Sequence, residues 1–322
     1  MSVREISIRE ALNEALHEEM LKDPSVILLG EDIRYAMVSG VTAGLVEKFG
    51  NERVIDTPIS EEAIAGVAVG MAIMGMRPVA EVMFAEFLPL AMNQIINAAA
   101  KFYARSHGNI NLPMVIRTSF GVGAHGQNFE SIFAHIPGLK VVIPSTPYDA
   151  KGLLKSAIRD NNPVLFFESR TLYTKRGPVP MEDYIVPLGV ADIKRYGDDA
   201  TIVATGLMVH RSLGAAEELS RDGINVEVID LRTVRPLDKK TLINSVKKTG
   251  RLIVTHESWK IGGVGAEVIA QIVEDEEGFN YLQSPPHRVC TPDVPLPDDP
   301  LLEFLIPSEE NIVKVVKKLM GK

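Results

Sequence analysis

Apolar residues arrive along this chain in short bursts separated by amphipathic stretches. The first half carries five such bursts, Val26 to Gly30, Pro78 to Met83, Met114 to Arg117, Lys140 to Ile143 and Val164 to Glu168. Several lack an alternation of period two, as expected of parallel strands covered on both faces. Helical patterns separate them, and this exchange predicts an α/β fold. Thr174 to Gly189, with Pro178, Pro180 and Pro187, reads as a linker. The alternation then restarts, with strands expected at Thr201 to Thr205, Asn225 to Ile229 and Leu252 to Thr255, and helices at Arg211 to Arg221 and Gly265 to Glu274. The pattern predicts two α/β domains, residues 1–185 and 186–322. A length of 322 residues fits, because one core seldom organises so many.

Two stretches carry no charge, Ala63 to Met76 and Phe87 to Ala100. Both fall short of the roughly 18 to 20 apolar residues that span a bilayer. They predict helices apolar on nearly every side, which need a core or a second chain to cover them. Gly66, Gly70 and Gly75 would let another backbone approach the first closely.

Hydrophobic residues at 46% and charged residues at 24% mark a globular chain rather than a disordered one. A net charge of -8 without basic clusters argues against a nucleic-acid partner. Cys290 is the only cysteine, which excludes an intrachain disulfide and a cysteine-based zinc site and fits a reducing compartment. The first twenty residues carry Glu5, Glu10, Glu14, Glu18 and Glu19 and resemble neither a signal nor a transit peptide. The expectation is a cytoplasmic protein, or a mitochondrial matrix protein if eukaryotic and processed, with no membrane partner.

Candidate chemistry begins at Asp56-Thr57-Pro58-Ile59-Ser60-Glu61-Glu62, which leads into the first uncharged stretch with Ser60 placed as an N-cap. Carboxylates in a first helical turn are favourable by about 0.3 to 1 kcal/mol, which alone would explain both glutamates. Alternatively, one of them is poorly hydrated and its pKa is raised towards proton-transfer range. The spacing leaves both readings open. Gly121-Val122-Gly123-Ala124-His125-Gly126-Gln127 presents a histidine after a strand, on the sheet edge where α/β proteins bind ligands. His125 is therefore a candidate acid or base, with a structural role equally open, whereas His135 reads as packing at a helix end. Gly262-Gly263-Val264-Gly265 lacks the full G-x-G-x-x-G pattern and reads as a turn that packs a helix. Neither a phosphate-binding P-loop nor a G-x-S-x-G elbow occurs.

Several ordered blocks carry a resemblance across almost the whole chain. They include Leu29-Gly30-Glu31-Asp32, Asp56 to Glu61, Arg77-Pro78, Gln94 to Lys101, Pro137 to Val142, Lys155 to Pro163 and Glu227 to Pro236. Together they resemble the β subunit of the E1 component of pyruvate, branched-chain 2-oxo acid or acetoin dehydrogenase complexes, within the transketolase-like thiamine-diphosphate family. The resemblance implies a pyrimidine-binding domain followed by a transketolase C-terminal-like domain. It further implies an α2β2 heterotetramer in which the α subunit holds Mg2+ and the diphosphate. The corresponding G-D-G…N motif is missing here, and Gly197-Asp198-Asp199 is only a turn.

By the same resemblance, Glu61 bonds N1′ of the aminopyrimidine, Met83 and Phe87 line its pocket, and Glu31 matches an acid used in proton communication between active sites. Asn93 stands where relatives often have aspartate, which leaves that acidic relay incomplete. His125 matches the histidine that guides acyl transfer to the lipoyl group, although the usual H-S-Q reads His125-Gly126-Gln127 and the preceding loop is shortened. Met114, Ala157, Ile158, Asp160 and Asn162 match a K+ site. Asp293, Asp298, Asp299, Glu303, Glu309 and Glu310 offer an acidic surface for the E2 lipoyl acyltransferase, or simply a solvated one. The implied reaction is oxidative decarboxylation of a 2-oxo acid with reductive acylation of lipoyl-E2. Pyruvate is placed first, with branched-chain 2-oxo acids and acetoin as alternatives. Half of a split transketolase-type synthase and a scaffold without cofactor are the competing classes.

Overall fold

The computed structural model describes residues 2–36, 39–297 and 301–321. The chain divides into two units, Met1–Phe120 with Ile132–Leu188, and Gly121–Ser131 with Gly189–Lys322. The segment Gly121–Ser131 lies inside the expected first domain by position, yet clusters with the second unit.

In the first unit, six parallel strands run in the order Lys140–Val142, Val164–Ser169, Val115–Phe120, Arg77–Phe84, Val26–Gly30 and Val54–Asp56. Val26–Gly30, Val115–Phe120 and Val164–Ser169 are buried at every position, which is why their sequences lack a period of two. Val54–Asp56, only three residues long, gave too little pattern to be read in advance.

Thr174 to Gly189 is not simply a linker. Arg176–Pro180 forms a strand paired antiparallel with Val3–Ser7, Pro178 opposite Glu5 and Pro180 opposite Val3. A two-stranded ribbon consists of edges, so the missing N–H of proline is tolerated there. Ser7 then caps the helix Ile8–Lys22 through a reciprocal capping box with Glu10. The helix Pro147–Arg159 packs on it. There the Nζ atoms of the buried Lys151 and Lys155 meet Glu14, Glu18 and Asp183.

The uncharged stretches also differ from expectation. Phe87 to Ala100 is not one α-helix. A 3-10 helix, Ala85–Ala91, contains Pro89, and a π-helix, Gln94–Ala99, follows. A proline ring and its missing donor break the regular i to i-4 ladder between them. The helix Glu61–Ile73 buries Ile64, Ala65, Ala68, Val69 and Ala72 on one side. Val67 stays 53% exposed and Met74, just past its end, 79%.

The second unit is a five-stranded sheet in the order His287–Thr291, Leu252–Trp259, Ala200–Ala204, Val226–Asp230 and Asp192–Arg195. Only the last strand is antiparallel. Helices Leu207–Arg221, Lys239–Thr249, Val264–Val273 and Glu309–Leu319 accompany it. The glycine cluster is a turn that packs a helix. Gly263 is the N-cap of Val264–Val273, and a Cβ there would collide with the Trp259 carbonyl and the His256 ring. Of the acidic residues near the end, Asp298 and Asp299 lie outside the described residues. The Glu309 carboxylate sits where a Cβ on Gly214 would be.

Candidate functional site

The carboxyl ends of the parallel strands in the first unit gather most of the polar candidates. Gly30 lies opposite Asp56 on one side and Glu81 on the other, so Glu31 and the segment from Thr57 to Glu61 leave the sheet at neighbouring points of one edge. The Thr57 N–H donates to the Gly30 carbonyl at 2.9 Å and fixes that exit. Pro58 cannot extend the strand ladder, and the helix starts at Glu61.

Ser60 occupies the N-cap position, but its side chain makes no capping hydrogen bond. The first turn of the helix therefore keeps open N–H donors around two glutamates. The two carboxyls differ in environment. Glu62 is exposed and accepts from Gln94 Nε2 at 3.3 Å. Glu61 is only 8% exposed, and its carboxyl has no hydrogen-bond partner among the described residues.

Glu31, half-buried, is likewise without a hydrogen-bonding neighbour among them. Burial raises the Glu31 carboxyl above the usual range, and the nearby charges of Asp32, Glu61 and Asp56 push it further. The Thr57 hydroxyl on the same segment is buried without a partner. Such groups cost free energy unless something bonds them. This edge thus fits a ligand that carries its own donors and acceptors.

Met83 lies near the end of the strand Arg77–Phe84, and Phe87 lies in the 3-10 helix that follows. Both are half-buried. The Met83 carbonyl accepts from Ser119 Oγ at 2.7 Å, and Phe87 meets Phe84 edge to face with ring centres 5.6 Å apart. The same sheet holds a buried ionic cluster. Arg117 donates through Nε and Nη2 to both oxygens of Glu168, at 2.7 and 2.8 Å, and through Nη1 to Glu81 at 2.7 Å. Tyr173 adds its hydroxyl to Glu168 at 2.7 Å. One guanidinium serves two carboxylates, and burial raises the Glu81 carboxyl despite Arg117. The signal was present, since Glu81, Arg117 and Glu168 interrupt apolar strand runs and buried charges must pair.

The carbonyls expected to hold K+ each accept a hydrogen bond within the chain. Arg77 Nη1 donates to the carbonyls of Ile158 and Asp160 at 3.0 Å each, and Nη2 to Asn161 Oδ1 at 2.8 Å. The Met114 carbonyl accepts from Val164 N–H and that of Ala157 from Asp160 N–H. Lys140 pairs with the Asp160 carboxylate, which also accepts from Asn162 N–H at 2.8 Å. Arg77 and Lys140 thus both contact this loop.

His125 belongs to the other unit, on Gly121–Ser131. It is half-buried, with φ of 56°, in the left-handed region. The loop closes through Gly121 N–H to the Gly126 carbonyl at 3.0 Å. A Cβ at Gly126 would lie 2.6 Å from the Gly121 carbonyl oxygen and would collide with Leu302. The glycine beside His125, where a serine was expected, thus has a steric cause. Glu31, Glu61, Met83 and Phe87 all belong to the first unit, and His125 belongs to the second.

Two family models match the chain, transketolase pyrimidine-binding domain over residues 4–176 and transketolase C-terminal domain over residues 189–312. The chain is 50% identical to the 2-oxoisovalerate dehydrogenase subunit beta of Bacillus subtilis (strain 168), covering 92% of this chain and 93% of that protein. It is 46% identical to the acetoin:2,6-dichlorophenolindophenol oxidoreductase subunit beta of Cupriavidus necator, covering 98% of both. The mitochondrial pyruvate dehydrogenase E1 component subunit beta-2 of Oryza sativa subsp. japonica is 45% identical, over 98% of this chain and 87% of that one. A solved structure titled split gene transketolase, inactive beta4 tetramer, superposes with a TM-score of 0.81 at 26% identity, covering 98% and 99% of the two chains.

Proposed function

The chain belongs to the transketolase-like family of E1 β subunits of 2-oxo acid and acetoin dehydrogenases, and from that premise we propose that it is the β subunit of a thiamine-diphosphate-dependent 2-oxo acid dehydrogenase, active with an α subunit in an α2β2 assembly. The observation that carries the proposal is the Glu61 carboxyl, buried at a helix start with no hydrogen-bond partner among the described residues.

Thiamine diphosphate supplies the electron sink that allows a 2-oxo acid to lose its carboxylate. The residues of this chain prepare that chemistry. Glu61 would bond the pyrimidine nitrogen N1′ and hold a proton there, a role open to a carboxyl that has no hydrogen-bond partner among the described residues. Met83 and Phe87 form the apolar wall that strengthens this bond by keeping the local dielectric low. Glu31 stands near enough to feel the charge on Glu61, which together with burial and Asp32 raises the Glu31 carboxyl above its ordinary value. His125 would guide the acyl unit during its transfer to lipoyl-lysine of the E2 acyltransferase.

The α subunit contributes Mg2+ and the diphosphate site. The carbonyls of Met114, Ala157, Ile158 and Asp160, with Asn162, would hold K+ through lone pairs left free by the hydrogen bonds they accept. The exposed Val67 and Met74 on and beside the helix from Glu61 suit burial against the α subunit. No helix among the described residues is long and apolar enough to cross a membrane.

Pyruvate is the proposed substrate. The 50% identity to the Bacillus subtilis 2-oxoisovalerate subunit favours a branched-chain 2-oxo acid as the second reading. The test is co-purification with the α subunit, followed by thiamine-dependent reduction of an artificial electron acceptor with pyruvate, 3-methyl-2-oxobutanoate and acetoin in parallel. Turnover with either 2-oxo acid supports the proposal and selects between the two readings. A stable, cofactor-loaded complex inert towards all three would sink it and favour a synthase with an aldehyde acceptor.

A further inference from the structure

The segment that carries His125 ends in a buried acid for which the reaction above has no use. Glu130 is 0% exposed, and its Oε1 lies 2.8 Å from Ser258 Oγ. Ser258 Oγ is 2.9 Å from His256 Nδ1, and His256 Nε2 is 3.3 Å from Cys290 Sγ. All four residues belong to the second unit. The geometry follows from the sheet. His256 and Ser258 are two apart on the strand Leu252–Trp259 and so share a face, and Cys290 lies directly opposite His256 on the neighbouring strand. Gly263 and Gly265 close the far side, where a Cβ would stand 2.9 and 3.0 Å from His256 Nε2.

Burial pushes the Glu130 carboxyl up to about 8 and the His256 imidazole down to about 4. At neutral pH the histidine is therefore uncharged and carries one ring proton, while the carboxyl is mostly protonated. An amide or an apolar residue would fill the Glu130 site at lower cost than a carboxyl. The same acid anchors a loop that is otherwise held by Phe129, stacked on Trp259 with ring centres 6.3 Å apart, and by Gly126 beneath Leu302.

We propose that Glu130, Ser258 and His256 are positioning residues for the reaction, a hydrogen-bond relay whose polarity is set by the proton on Glu130 and which fixes the His125 loop for acyl transfer. The proposal rests on the role given to His125 above. With Glu130 protonated, its O–H donates to Ser258 Oγ, the serine O–H donates to His256 Nδ1, and Nε2–H donates to the Cys290 sulfur. When Glu130 loses its proton to solvent, the carboxylate accepts from Ser258, the serine oxygen accepts from Nδ1–H, and Nε2 accepts from the Cys290 thiol. One proton leaves the chain, and the ring proton moves from Nε2 to Nδ1. Other charged groups act on the relay from its surroundings. Glu257 raises Glu130, Arg288 lowers His256, and Arg288 and Lys260 lower Cys290 against a burial that carries it to about 11.

The test compares wild type, Glu130→Gln and Ser258→Ala in the α2β2 complex, with two readouts. The first is hydrogen exchange of the peptide covering residues 121–131, which reports the anchor whether or not the complex turns over. The second is kcat and KM for overall acyl transfer as a function of pH. The proposal expects faster exchange of that peptide in Ser258→Ala and a kcat lowered about tenfold with KM within about twofold, as for a misplaced group. It also expects wild-type kcat to fall as pH rises through about 8, the pKa of Glu130, and Glu130→Gln to lack that fall. Unchanged exchange, or faster exchange with unchanged kcat, would overturn the proposal, as would an alkaline fall that survives in Glu130→Gln. If Glu130→Gln fails to assemble, Ser258→Ala, which removes only a hydroxyl, decides alone. A wild-type complex without turnover speaks against the proposed function, and exchange then decides the relay by itself.

Discussion

Arg117 and Glu168 meet across adjacent parallel strands as a two-point ion pair, each 2% exposed, with Glu81 on the guanidinium's remaining side. The arrangement carries one positive charge against two negative ones, so the partners are not equivalent. Removing Arg117 leaves two buried carboxyls without compensation, whereas removing the charge of Glu81 leaves a balanced pair. Arg117→Met should lower unfolding stability by about 3 to 5 kcal/mol. Glu81→Gln should change it by less than about 1 kcal/mol or raise it. Urea unfolding of both variants checks the asymmetry, and equal losses would refute it.

The strand runs were legible because a parallel sheet buried on both faces forces long apolar stretches, and Val26–Gly30 and Val164–Ser169 show this directly. The Arg176–Pro180 strand was not legible, since its prolines read as a linker and only pairing with Val3–Ser7 makes it a strand. Glu61 stood out by its place at a helix start. What separates it from Glu62 is burial, and burial depends on how the helix packs. The Glu130 relay was invisible for the same reason, because 128 residues separate Glu130 from Ser258.

Glu61→Gln isolates the proton-holding role. The carboxyl has no hydrogen bond to lose among the described residues, and it stands beside Glu31, whose ionisation it opposes. Folding stability should stay within about 0.5 kcal/mol of wild type. Turnover of the reconstituted complex should fall by about 10²-fold to 10⁴-fold. Calorimetry and the acceptor assay measure the two effects separately, and retained activity would count for a scaffold without cofactor.

Gly126 offers a test of the loop itself. Gly126→Ser restores the side chain expected beside His125, yet its Cβ would stand 2.6 Å from the Gly121 carbonyl and against Leu302. The loop must shift, at a cost of about 1 to 3 kcal/mol. Thermal unfolding should show that loss. When Leu302→Ala is added, the two stability losses should be less than additive, because the shorter side chain makes room for the serine. Full stability of Gly126→Ser alone would contradict the close approach.

The Glu130 carboxyl also makes a stability prediction in which direction matters more than size. Its ordinary value is 4.5 and burial carries it to about 8, so between these limits the folded chain binds a proton that the unfolded chain releases. Stability from this group is complete below about 4.5 and is lost as pH rises through about 8. His256 acts in the opposite sense. Its value is lowered from 6.5 to about 4, so its contribution is complete above 6.5 and is lost as pH falls towards 4. Between pH 6.5 and 8 only Glu130 of the two still changes, and Cys290, at about 11, is silent there. Across that window the wild-type complex should lose stability with rising pH relative to Glu130→Gln, by at most about 1.4 kcal/mol per pH unit. Calorimetry of both complexes at half-unit steps measures the difference. Parallel curves would mean that Glu130 is already ionised in the folded chain, and the protonated polarity of the relay would have to be abandoned.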